Sequence, residues 1–161
     1  MTAEHPEHRA IARQVIAENR YLTLATADAD GVPWATPVFY AAPGPSTFCW
    51  ASAPDTRHSR NIAVRPQVAI TIFDSHAPIG RAEGVYISAR AESVHPSEQD
   101  LALQLLNDRL PPRQHLTTDD LEPAGPLRMY RATALEVSIL IRGGSAASDR
   151  ATDSRAVVPV E

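Results

Sequence analysis

The chain has 161 residues, of which 43% are hydrophobic and 21% are charged, a composition typical of one soluble globular domain. Its net charge of -4 and its isoelectric point near 5.8 argue against nucleic acid or an anionic membrane as the main partner. No apolar run approaches the ~20 residues that span a bilayer. The charged N-terminus lacks the apolar core of a signal peptide, and we therefore expect a cytoplasmic protein.

Hydrophobic periodicity predicts six strands and three helices. A first helix is expected over residues 5–19, where Ile11, Val15 and Ile16 form an apolar face. Another helix is expected over residues 97–109, before Pro111-Pro112. Alternating apolar residues predict strands over 21–27, 32–42, 47–52, 67–74, 84–94 and 127–141.

The order of these elements indicates a mainly β fold with peripheral helices. No strand–helix alternation suggests a parallel sheet, and no glycine-rich nucleotide-binding motif is present. An antiparallel β-barrel is favoured because closure removes the exposed edges of such a sheet. We expect residues 1–142 to form this domain. From Arg142 onward the composition shifts to Ala, Ser, Arg and Asp, so residues 143–161 are predicted to be a mobile or partner-contacting tail.

The stretch 50–66, WASAPDTRHSRNIAVRP, contains the strongest functional signal. It is predicted to run from a strand end through a polar break into a short helix, the cradle helix, that ends at Arg65-Pro66. Asp55 or Thr56 can cap this helix, and the N-terminus of a helix favours anions. Hydroxyl, imidazole and guanidinium groups on four residues make a candidate phosphate cradle: Thr56, Arg57, His58 and Arg60. A solvated, arginine-rich helix face is the alternative.

The ordered series of strand, small hydroxyl residue, polar turn, Thr-Arg-His, Asn-aliphatic and Pro-x-Val resembles the flavin-binding split-barrel family, whose namesake is pyridoxamine 5'-phosphate oxidase. The resemblance covers about residues 21–142 and implies a six-stranded antiparallel split β-barrel. It also implies that the phosphate of flavin mononucleotide (FMN) is held by Ser52, Thr56, Arg57 and His58, with Arg60 as an additional candidate. His58 is a departure, because family members very often carry Lys there and this chain contains no Lys.

The same resemblance places the flavin ring along the second and third predicted strands. The implied contacts are Thr36, Pro37, Val38 and the backbone near Ala51. Asn61 is either a contact of the ribityl chain, a residue that supports such a contact, or an ordinary polar helix residue.

Two tryptophans, Trp34 and Trp50, either flank the ring or fill the core. Family members are usually homodimers with the cofactor at the interface, and Tyr130, Arg131 and the last strand are candidates for the partner's share of the site.

The resemblance implies an FMN-dependent oxidoreductase that transfers hydride or electrons to or from a small organic substrate, with the chemistry carried by the cofactor. Two alternatives are a deazaflavin-dependent reductase and a non-catalytic flavin-binding protein. Pyridoxamine 5'-phosphate oxidation itself fits poorly, because residues 36–41 are uncharged where that enzyme has a basic strand. No catalytic residue is singled out, and no Cys/His cluster has the spacing of a metal site.

Overall fold

The computed structural model describes residues 6–145 and 151–160, and it confirms the mainly β fold. The elements in chain order are α1 (Pro6–Glu18), β1 (Tyr21–Ala27), β2 (Pro33–Phe39), β3 (Ala41–Gly44), β4 (Thr47–Ser52), α2 (Arg57–Val64), β5 (Gln67–Phe73), β6 (Gly84–Ser93), α3 (Gln99–Asn107), α4 (Thr118–Leu121), β7 (Arg128–Ile141) and β8 (Ser154–Val158). Single 3-10 turns lie at Pro96–Glu98 and Pro112–Gln114. Helix α1 and the cradle helix α2 agree with prediction, although the predicted start at residue 5 lies outside the described residues.

The strands form one antiparallel sheet in the order β2-β1-β5-β6-β7-β4-β3, with β8 paired to β7. This is a split barrel, but the described residues form eight strands, so the predicted number of six is wrong. One extra strand is β8, whose residues Ser154–Val158 pair with Ile141–Val137 of β7. The predicted tail over 143–161 therefore contains residues that belong to the sheet rather than to a mobile segment.

The other extra strand arises because the predicted strand 32–42 bends at Tyr40 and changes partners. Before the bend, β2 pairs with β1 along its whole length. After the bend, β3 pairs with β4, with Ala41 opposite Cys49. The two halves of one extended segment thus lie at the two ends of the sheet order. The backbones of β2 and β4 are not paired, and we call the space between Val38–Phe39 and Ala51–Ser52 the seam.

The barrel interior is filled by alternate residues of the strands, as period-two patterns predict. Leu22 and Leu24 of β1 and Ile70 and Ile72 of β5 are at most 1% exposed. Trp50 is fully buried and its ring stacks on Tyr130, with 5.9 Å between ring centroids. Trp50 is therefore a core residue, and the interpretation in which it flanks a ligand ring is wrong.

A second, smaller core lies under α3. It consists of buried side chains from β3, β4, α3, α4 and the start of β7, among them Cys49, Leu103, Leu106, Leu121 and Met129. Burial raises the pKa of the Cys49 thiol, so this cysteine behaves as a core residue.

Arg109, just after α3, forms hydrogen bonds both to the bend at Tyr40 and to the segment at the end of α1. Its guanidinium donates to the carbonyl oxygen of Tyr40 at 2.8 Å and to that of Asn19 at 2.7 Å. A third donation, at 3.3 Å, reaches the carbonyl oxygen of Ala17. The guanidinium also lies 4.9 Å from the centroid of the Tyr40 ring. The Tyr40 hydroxyl in turn donates to the carbonyl oxygen of Ile16 at 2.6 Å, so the bend is held from both sides.

Candidate functional site

The cradle helix α2 begins at a threonine cap. Thr56 has extended backbone angles, and its Oγ1 accepts from the backbone N–H of Ser59 at 3.4 Å. Its carbonyl oxygen accepts from the N–H of Arg60 at 3.0 Å. Of the two predicted caps, Asp55 and Thr56, the structure uses Thr56. The N–H groups of Arg57 and His58 belong to the first turn, where a helix offers no internal acceptor.

Beside this cap lies a hydroxyl–imidazole cluster, which consists of Ser52, Thr56, His58 and Ser59. His58 Nε2 lies 2.9 Å from Ser52 Oγ and 3.2 Å from Thr56 Oγ1. Thr56 Oγ1 also lies 2.8 Å from Ser59 Oγ. Burial lowers the pKa of His58, so the imidazole is neutral at neutral pH. The cluster therefore offers polar hydrogen atoms and lone pairs without a fixed charge.

Asn61, one turn further along α2, ties the helix to the barrel. Its Nδ2 donates to Thr26 Oγ1 of β1 at 3.0 Å, and both side chains are buried. The predicted contact between Asn61 and a ligand stays a prediction, because the side-chain hydrogen bond of Asn61 goes to Thr26 on the neighbouring strand.

The two arginines of the predicted cradle lie in different places. Arg57 is exposed, and its guanidinium lies over the ring of Trp34, 4.6 Å from the ring centroid. Trp34 itself is 40% exposed on β2, so this stacked pair lies at the surface, at the start of α2. Arg60 instead donates to the carbonyl oxygen of Asp55 and lines a second pocket. The structure therefore does not bring Arg60 to the cluster.

A cleft of about 390 Å³ opens at the seam, next to the cluster. This volume lies within the range of roughly 300–1,000 Å³ that is usual for small-molecule sites. Half of the predicted site residues contribute to its wall: Pro37, Val38, Ala51, Ser52 and His58. Thr36 lies next to Pro37 on β2 and is half-buried.

The far wall of the cleft was not among the predicted site residues. It is formed by Leu106, Leu110, Gln114, Leu116 and Leu127, while Phe39 of β2 extends the near wall beyond Val38. The apolar stripe of the helix 97–109 signals Leu106 as a buried residue, but not which cavity it faces. All wall residues of the cleft are uncharged at neutral pH, with Ser52, His58 and Gln114 as the polar members.

The segment 110–127, which covers the cleft, is held by side chains that bind its backbone. Arg128 donates to four carbonyl oxygens of this segment, those of Glu122, Pro123, Gly125 and Leu127. Asn107 makes two further bonds to the backbone of Leu116, both 2.9 Å long. We call this segment the roof. Its conformation is fixed by bonds to neighbouring side chains rather than by long regular structure.

No group of three or more His, Cys, Asp or Glu residues is arranged to hold a metal ion within 6–145 and 151–160. Over the same ranges, no helix has the length and apolar character needed to cross a bilayer.

An antiparallel barrel that is split along one seam, with a cleft and a capped helix beside it, defines a class of small β-barrel proteins with a ligand-sized opening between strands. The family model described as pyridoxamine 5'-phosphate oxidase matches residues 9–139. The chain belongs to this family.

Three solved structures are similar to the chain. A heme binding protein from Mycobacterium smegmatis has a TM-score of 0.70 at 20% identity over 95% of this chain and 59% of that chain. An FAD-binding protein from Mesorhizobium loti has a TM-score of 0.58 at 24% identity over 78% of this chain and 88% of that chain. An F420 reductase has a TM-score of 0.57 at 19% identity over 77% of this chain and 93% of that chain. No curated protein matches the chain.

Proposed function

We propose that the protein binds FMN in the seam and acts as an oxidoreductase on a small organic substrate. The observation that carries this proposal is the position of the hydroxyl–imidazole cluster, at the N-terminus of α2 and in the wall of a ligand-sized cleft. A bound flavin would supply hydride and electron transfer. The protein would bind it, orient it and exclude water from it.

The phosphate end of the flavin is assigned to the first turn of α2. Ser52 offers a hydroxyl, and the backbone N–H groups of Arg57 and His58 lie at the positive end of the helix. The Arg57 guanidinium is held nearby by Trp34 and brings a fixed charge suited to phosphate oxygens. His58 acts as a neutral hydrogen-bond partner. This assignment accounts for the absence of a lysine from the site.

The ring end is assigned to the cleft. Val38 of β2 and the leucines of the roof provide apolar surface, and the backbone at Ala51 provides the opposite edge. Gln114 adds an amide that can donate or accept at the polar edge of a ring. This combination of apolar walls and few polar groups is typical of cofactor sites.

The substrate that we propose is uncharged. The cleft wall holds no guanidinium or ammonium group, so a phosphorylated substrate would lack a counter-charge there. This argues against pyridoxamine 5'-phosphate as the substrate, in agreement with the uncharged segment 36–41 of the sequence.

We further propose a homodimer, with the cofactor site near the interface. The outer face of β2, β1 and β5 is uncharged and has small residues at its centre, with Ala35, Ala25 and Ala69 in one row across the three strands. Neighbouring rows on this face hold Thr23, Thr71 and Pro37, then Tyr21 and Phe73. Tyr21 is 60% exposed and Phe73 is 47% exposed, which suits burial against a second copy.

The named ligands of the similar structures include haem and a deazaflavin cofactor. Among the residues that line the cleft, the imidazole that could ligate a haem iron is that of His58, and its Nε2 is already within hydrogen-bond distance of two hydroxyl groups. This favours a flavin-type ligand. A deazaflavin and a non-catalytic flavin complex use the same cleft, and they are outcomes of the test.

The test is an absorption spectrum of the purified protein, repeated after addition of FMN, deazaflavin or haemin and removal of the excess. Retention of a flavin spectrum is the expected result, and oxidation of NADH or NADPH by the loaded protein would then establish turnover. Retention without turnover indicates a flavin-binding protein. Retention of deazaflavin or haem alone would contradict the FMN assignment.

A further inference from the structure

A second pocket, of about 430 Å³, lies across α2 from the cleft. It is bordered by α2, the turn before α2 and the last residues of β6. Its polar wall consists of Ser59, Arg60, Arg90, Glu92, Ser93 and Tyr130, and of these only Ser59 also belongs to the hydroxyl–imidazole cluster.

The pocket exists because β6 continues past the start of β5. The N–H of Ala91 donates to the carbonyl oxygen of Pro66 at 2.8 Å, and β5 begins only at the next residue, Gln67. The N–H of Val94 points to the other side of β6, where it donates to the carbonyl oxygen of Met129 at 2.8 Å. Backbone groups alternate in direction along an antiparallel strand. The N–H of Ser93 therefore faces the open edge beyond Pro66, on the pocket side.

Two arginines give the pocket its charge. Arg90 is exposed, and its side chain makes no hydrogen bond or ion pair within residues 6–145 and 151–160. Arg60 uses one nitrogen to donate to the carbonyl oxygen of Asp55, which leaves its other donors available. The pocket has one acid, Glu92, which shares the guanidinium of Arg131 with Glu98, at 3.1 and 2.9 Å, so two arginines stand against one partly neutralised carboxylate. The pocket is therefore positive.

Tyr130 is a further polar residue of the pocket wall. Its side chain is 5% exposed and forms part of the pocket wall. The hydroxyl has no hydrogen-bond partner among the described residues. Stacking on Trp50 holds the ring in place. The hydroxyl is in contact with solvent, because it is not one of the fully buried polar atoms without a partner, and it is free to donate to a bound oxyanion.

We propose that this pocket binds a phosphate group, either as inorganic phosphate or on a small metabolite. Two guanidinium forks, a phenolic hydroxyl and a backbone N–H are all donors, and a phosphate group has the negative charge and enough acceptor oxygens to use them together. The site does not depend on the cofactor proposal, because none of its donors lines the cleft.

The test is a titration of isotope-labelled protein with inorganic phosphate, followed by amide NMR shifts at constant ionic strength. Saturable shifts are expected at Ser93 and Ala91. Arg90→Gln should lower the phosphate affinity about tenfold, the loss expected for one charge-assisted hydrogen bond. Arg81→Gln, which removes an exposed arginine from the loop after β5, is the matched control and should leave the affinity unchanged.

A second titration, with ribose 5-phosphate, distinguishes the two sources of phosphate. Equal affinities indicate a site for the phosphate group alone, whereas tighter binding of the ester indicates that the rest of the pocket holds the sugar. Either result supports the proposal. Shifts that disappear in Arg57→Ala and persist in Arg90→Gln would place the phosphate at the N-terminus of α2 and overturn it. The absence of saturable shifts at Ser93 would overturn it as well.

Discussion

The Nε2 atom of His58 lies 2.9 Å from the Oγ atom of Ser52, and the two side chains are only 8% and 9% exposed. A strand end and a helix start are thereby joined through a neutral, buried imidazole. Because Ser52 also lines the cleft, this one contact links the stability of the fold to the state of the proposed binding site.

The first prediction concerns pH. Burial lowers the pKa of His58, so below about pH 6.5 the unfolded chain binds a proton that the folded chain binds less readily. The free energy of unfolding should therefore fall as the pH is lowered from about 7.5 to about 5.5, the range in which histidine titrates. Urea unfolding at these two values measures the change.

The matched variants for this prediction are His58→Gln and His115→Gln. The first removes the buried titrating group and should flatten the pH dependence. The second removes an exposed histidine and should keep it. Equal pH dependence in the wild type and His58→Gln would show that His58 does not titrate differently on folding.

The second prediction separates the two arginines of α2. Arg57→Ala should weaken FMN binding by roughly 1.5–3 kcal/mol, the cost of a lost charge-assisted hydrogen bond. Arg60→Ala is the matched control and should leave the affinity nearly unchanged, since Arg60 lines the other pocket. Fluorescence titration of FMN measures both. Unchanged affinity in Arg57→Ala would remove Arg57 from the site.

The third prediction concerns Arg109, which holds the bend at Tyr40. Arg109→Met keeps much of the side-chain volume but removes the donors to the carbonyl oxygens of Tyr40, Asn19 and Ala17. The expected loss is about 2–3 kcal/mol of unfolding free energy, which lowers the melting temperature by roughly 5–10 °C in a chain of this size. Arg113→Met, at an exposed position, should melt like the wild type. Calorimetry that gives equal melting temperatures for both variants would contradict this role.

The fourth prediction concerns the roof. Arg128→Ala removes donors from four carbonyl oxygens between Glu122 and Leu127, so the segment should become mobile while the barrel stays folded. Limited proteolysis should then cut within residues 110–127 faster than in the wild type, and FMN should protect the segment less well. Arg142→Ala, at the end of β7, serves as the control. A cleavage pattern identical to that of the wild type would show that other contacts hold the roof.

The fifth prediction tests the proposed homodimer. Ala69→Glu places a charge in the middle of the row formed with Ala25 and Ala35, where burial against a second copy would be costly. Sedimentation should show a dimer for the wild type and a monomer for this variant. Leu101→Glu alters an exposed apolar residue on α3 and should leave the dimer intact. A monomeric wild type would exclude the proposed interface.

The sequence predicts the strands well where one face is buried. Val68, Ile70 and Ile72 alternate with more exposed residues in β5, as their spacing indicates. The bend at Tyr40 was missed because nothing local ends the extended run there, and the break reflects a change of partner strand. Strand β8 was missed because only Val158 of its five residues is fully buried, so its pairing with β7 leaves little trace in the hydrophobic pattern.

The candidate site likewise has one part that the sequence predicts and one part that it does not. Ser52, Thr56 and His58 lie within seven residues of one another, so a helix cap and a strand end are sufficient to bring them together. The far wall of the cleft comes from residues 106–127, more than forty positions further along the chain. Only the folded topology brings Leu106 and Leu127 to the seam, and no local sequence pattern predicts that they lie there.

The change of partner at Tyr40 has a mechanical consequence. Because β2 and β4 share no backbone ladder, their ends can move apart without breaking a strand-to-strand hydrogen bond. Widening the gap between them costs side-chain contacts alone, whereas separating any other neighbouring pair would disrupt a row of amide bonds. Among the described strands, β2 and β4 can therefore separate with the smallest loss of hydrogen bonds. The bend at Tyr40, which Arg109 holds in place, would act as the hinge of that motion.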